Sequence, residues 1–68
     1  MGFYVQFNNA PSLTVLVKKL YEVASYFVYK NYNIVKINMF GKEHTFNSAI
    51  EITNFADSLI RKNAQTVH

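Results

Sequence analysis

Residues 33–51, NIVKINMFGKEHTFNSAIE, decide the fold. Val35, Ile37 and Met39 alternate with Lys36, Asn38 and Phe40, the period of a strand with one buried face. Gly41-Lys42 follows as a two-residue turn with glycine first, which a type II′ hairpin needs because positive φ costs glycine little. That turn predicts Phe40 opposite Glu43, Met39 opposite His44 and Ile37 opposite Phe46. One face then carries Val35, Ile37, Met39 and Phe46; the other carries Lys36, Asn38, Glu43 and Thr45. Ser48-Ala49-Ile50-Glu51 reads as a capping box that opens a helix.

Working outward, Phe3, Val5 and Phe7 alternate with Tyr4, Gln6 and Asn8, a further strand that Asn8-Asn9-Ala10-Pro11 ends, and Pro11 with Ser12 marks a helix start. From Leu13 the period becomes helical. Leu13, Leu16, Val17, Leu20, Val23, Ala24, Phe27 and Val28 share one stripe, and Asn31-Tyr32-Asn33 closes the helix. The last helix is predicted over 49–62, with Ala49, Ile52, Ala56, Leu59 and Ile60 buried, Phe55 at the edge and Asn63 as C-terminal cap. The order β-α-β-β-α, with one apolar stripe per helix, predicts the α+β class. Its simplest form is a two-layer sandwich, a three-stranded sheet with two helices on one face. Residues 1–63 form this single small domain and 64–68 a flexible C-terminal tail.

A chain of 68 residues buries only about 60% of the surface its unfolded form exposes and is marginally stable, so a disulfide, a metal or a partner chain is expected to support it. There is no cysteine, which removes the first and fits a cytoplasmic location. A second copy or another protein remains, and a homo-oligomer is expected. No apolar run reaches the roughly 20 residues of a membrane span. The net charge of +3 comes from cations spread along the chain, which permits an anionic partner without demanding one. Abundant Asn, Lys, Ile, Phe and Tyr suit a low-GC genome or a phage.

Residues for catalysis are sparse. His44 is the sole internal imidazole and reads as an edge histidine half covering the core; no base or orienting carboxylate is spaced for a triad. Of the four carboxylates, Glu51 is taken by its capping role, Glu22 and Asp57 lie on solvent faces of different helices and Glu43 flanks the turn, with no pair indicated for acid–base work. Gly41-Lys42 lacks the second glycine and the hydroxyl of a phosphate loop. The expectation is no enzyme, no cofactor, no metal and no small-molecule substrate.

One surface asks for explanation. Val15, Lys18, Lys19, Tyr26, Tyr29 and Lys30 lie on the outer side of the first helix, with Glu22 among them and Tyr21 at the margin. Solvent gives no reason for so many rings there, and tyrosine supplies wide, stiff contact area at interfaces. These six are the candidate partner-binding residues of a small non-enzymatic protein-binding module, regulatory or inhibitory in character. The alternative is a nucleic-acid-binding protein that stacks bases on the same rings, with Lys36 and Lys42 as a second basic strip. At Ile37–Lys42 and the following helix the chain resembles Alba-type nucleic-acid-binding domains, which also open strand–helix–strand–helix with a Gly-basic step. In those domains the helix follows almost directly on the glycine, whereas His44-Thr45-Phe46 intervenes here as a strand, so the spacing fails, no family is assigned and no residue roles are carried over.

Overall fold

The computed structural model describes residues 2–7 and 12–65, the side chains of 63–65 excepted. In chain order the elements are β1 (Gly2–Gln6), α1 (Leu13–Tyr29), β2 (Ile34–Met39), β3 (Lys42–Phe46) and α2 (Ala49–Gln65). The three strands form one mixed sheet in the order β1-β2-β3. β1 runs parallel to β2, from Gly2 beside Ile34 to Gln6 beside Asn38. β3 returns antiparallel on the far side of β2. This is the expected α+β sandwich, and it settles what hydrophobic patterning left open: the crossover through α1 joins parallel neighbours.

The core is one cluster. Leu16, Leu20, Ala24 and Phe27 of α1 and Ile52 and Ala56 of α2 meet Val35, Ile37, Met39 and Phe46 of the central and third strands. No buried residue comes from β1; Phe3 and Val5 pack against the cluster from its margin, as does Phe7 just beyond the strand. β2 is the keystone because it pairs on both edges and buries every second side chain.

The hairpin differs from expectation by a slip. Val35 faces Phe46, Ile37 faces His44 and Met39 faces Lys42. The turn is therefore Phe40-Gly41, with φ of 53° and 77°, not Gly41-Lys42. Two successive positive φ values define a type I′ turn, whose twist matches that of the flanking strands. The register gains from it: all of β3 pairs with β2, and Phe40 leaves the ladder for the exposed tip. Because β3 moves by two residues, each side chain keeps its predicted face.

Other expectations shift at the helix ends. Val28, assigned to the buried stripe, is 66 % exposed because it stands in the last turn of α1, beyond the cover of the core. Ile60 is likewise exposed late in α2. α2 itself continues through Asn63 to Gln65, so the cap expected at Asn63 is interior helix; of the proposed tail, 66–68 lie outside the described residues. At its start Ser48 Oγ accepts from Glu51 N–H at 3.3 Å, and Glu51 Oε1 accepts from Asn47 N–H at 2.8 Å. The capping box thus closes one residue earlier than its usual form.

Candidate functional site: the outer face of α1

α1 is held at both ends. Ser12 accepts from Val15 N–H at 3.3 Å as N-cap. At the other end Asn31 takes φ 57°, a left-handed value that asparagine tolerates. Its N–H donates to Val28 O at 3.1 Å and the Tyr32 N–H to Phe27 O at 3.0 Å, the paired bonds of a Schellman motif. That motif turns Tyr32 back onto the helix. Its ring stands 4.5 Å from Phe3 and 5.9 Å from Tyr26, and Phe3 meets Tyr26 edge-on at 5.6 Å. A local capping choice thereby builds the aromatic corner that fastens β1 beneath α1.

At 100° per residue, Val15, Lys18, Lys19, Tyr26, Tyr29 and Lys30 share one face along roughly 22 Å of helix. All six are exposed, Tyr29 at 80 %. Lys30 Nζ lies 5.9 Å from the Tyr26 ring centre and 5.6 Å from that of Tyr29, within cation–π reach of both. Lys18, Tyr26 and Tyr29 join Tyr21, Glu22 and Ser25 around a wide, shallow groove of about 510 Å³. Val15, Lys19 and Lys30 lie outside that groove.

Tyr21 is what the sequence placed least well. Its hydroxyl donates to Asp57 Oδ1 of α2 and so fixes the ring as one wall of the groove. The hydrogen bond, reinforced by lost hydration and by the carboxylate's charge, pushes the Tyr21 phenol above its ordinary value of 10.0. Burial and then the neighbouring Tyr26 hydroxyl push the Tyr32 phenol up as well. No sequence spacing signals a bond between residues so far apart in the chain.

The other cations do not extend this face. Lys36 stands on the open side of the sheet, in a row with Tyr4 and Thr45. Lys42 has the opposite parity and sits at the hairpin rim. The second basic strip expected for nucleic acid is therefore split between two sides of the sheet. His44 packs against Phe55 and Phe46 at 5.1 and 6.3 Å between ring centres, whereas Glu43 faces the other way. Among the described residues no three His, Cys, Asp or Glu side chains gather as a metal site, and no helix is long and apolar enough to cross a membrane. Comparison with protein-family models, curated proteins and solved structures finds no match to this chain.

Proposed function

We propose that this chain is a small non-enzymatic protein-binding module, an accessory protein of regulatory or inhibitory kind, that engages its partner through the outer face of α1. The observation that carries the reading is the exposure of Tyr21, Tyr26 and Tyr29 around one groove, while the core is complete without them. Tyr21 is pre-set by Asp57 and Tyr26 by Phe3, so little side-chain freedom is lost when a partner covers them. Lys18, Lys19 and Lys30 border the rings and steer an acidic surface toward the groove. The lack of cysteine favours a reducing, cytoplasmic setting, the composition favours a low-GC or phage genome, and self-association supplements the small core.

The test is capture of partners from extract on immobilised protein, comparing wild type with Tyr29→Ala and Lys36→Ala. A protein retained by wild type and Lys36→Ala, lost on Tyr29→Ala and still held at raised salt supports the reading. Retained nucleic acid whose affinity collapses between about 50 and 200 mM salt supports the alternative instead.

A further inference from the structure

We infer that the free edge of β1 seats a second copy of this chain, joining two three-stranded sheets antiparallel into one continuous sheet. The inference rests on the self-association premise of the function proposed above; it seats that association on β1, drawing in the β1 side of α1 with Val15 and Tyr26 and leaving Tyr29 for another partner.

The backbone shows which groups are free. Phe7 N–H donates to Asn38 O at 3.1 Å. Successive residues of a strand turn their N–H and C=O to alternate edges, so Phe3, Val5 and Phe7 address β2. Gly2, Tyr4 and Gln6 hold theirs toward the other side, where no further strand stands among the described residues. Proteins blunt such edges with charge, proline or a bulge. β3, at the other edge, carries Lys42, Glu43 and His44. β1 reads GFYVQ and carries none of these devices. Among the described residues one edge is guarded and the other is not.

The residues favour a second copy as the occupant. A two-fold axis at Tyr4 sets Tyr4 against Tyr4 of the second copy and Gly2 against its Gln6. These are the residues whose N–H and C=O are available to exchange. The same register lays Phe3 beside Val5 of the second copy on the helix side, where both rings and branches are only half-buried in one protomer. Between the paired strands no charge meets a like charge, because β1 has none.

Area points the same way. A stable interface takes roughly 800 Å² from each partner, about a sixth of the 4885 Å² this chain exposes. The strand edge alone supplies a part of that. The flank of α1 adds to it: the Phe3–Tyr26 contact sets Tyr26 above β1, and Val15, Lys19 and Lys30 fall on the same side of the helix. Tyr21, bonded to α2, marks the opposite side. Joining the sheets brings the two α1 flanks together over the seam, covers Val15 and Tyr26, and leaves Tyr29 outside.

The experiment combines light scattering over a range of concentrations with amide hydrogen exchange read by NMR. Wild type is expected at twice the chain mass, with the Tyr4 and Gln6 amides exchanging at least about tenfold more slowly than an open strand edge allows. Tyr4→Pro removes an N–H that faces away from β2, in an edge position where proline is tolerated. It should give a folded monomer, while Tyr29→Ala remains a dimer. A wild type that is monomeric at every concentration overturns both this inference and the self-association premise. A folded, dimeric Tyr4→Pro, or fast-exchanging Tyr4 and Gln6 amides in a wild-type dimer, overturns the β1 seat alone. Should Tyr4→Pro fail to fold, Gln6→Lys takes its place: a folded monomer with slow wild-type amides upholds the seat, and a dimer overturns it.

Discussion

Gly41 offers a test in which geometry isolates one physical effect. It stands at the hairpin tip with φ +77°, and a Cβ built on it meets nothing within 4 Å. Gly41→Ala therefore introduces no clash. Its whole cost is that of holding an L-residue in the left-handed region, about 1–2 kcal/mol. D-alanine at the same position prefers positive φ and narrows the unfolded ensemble, a gain of roughly 0.4–1 kcal/mol, as for other glycine replacements at compatible angles. The two enantiomers should thus differ by about 1.5–3 kcal/mol. In a domain of this size each kcal/mol moves Tm by about 4–8 °C, so their midpoints should separate by at least about 6 °C. A chain of 68 residues is within reach of total chemical synthesis, and thermal unfolding followed by circular dichroism reads the difference. Protein concentration must be equal in both samples, because association shifts Tm by mass action. Equal midpoints, or a lower one for the D-residue, would refute the type I′ turn and the hairpin register built on it.

Gly2→Ala behaves differently, since the new Cβ collides with Ile34 Cγ2 and lies 2.7 Å from the Ile34 carbonyl oxygen. The expected result is faster amide exchange in β1 with α1 and α2 intact; an unchanged β1 would show that the approach to Ile34 is looser. Leu20 is wholly enclosed, and Leu20→Ala should cost about 3–5 kcal/mol against a total of about 3–10 for a chain this long. Urea unfolding measures it, and a loss under about 1 kcal/mol would mean that the core does not centre on α1. The raised Tyr21 phenol favours its neutral form in the folded state, so its contribution is complete below the unfolded value of 10.0 and is lost as pH rises through the higher folded value. Tyr21→Phe should flatten that alkaline decline in Tm, and an unaltered profile would remove Asp57 as its cause.

The faces of the strands were legible in the sequence, and the reason is parity. Val35, Ile37 and Met39 point to the helices under either hairpin register, because the slip moved β3 by an even number of residues. The register itself was not legible, since Gly41 can be first in one turn type or second in another, and only tertiary pairing of Phe46 with Val35 decides. The stripe of α1 was correct through Phe27 and failed at Val28, where periodicity continues but the neighbour that would cover it does not. The α1 surface residues were legible as an unexplained group of rings. Their supports were not: the Tyr21–Asp57 bond and the Phe3–Tyr26–Tyr32 corner join distant segments and leave no local pattern. Strand order is likewise silent in composition, because β1 would show the same alternation beside β2 or β3.

The parallel pairing of β1 with β2 has a consequence in time. On the ribosome β1 emerges first, yet its first pairing residue waits for Ile34 to be delivered, a delay of a few seconds at about 5–20 residues per second. α1 can coil by itself in the interval, in well under a millisecond. β1 lacks its β2 mate during that wait, and polysomes hold several nascent copies of the same segment close together. Vectorial synthesis thus presents this strand to its neighbours before the protomer can claim it.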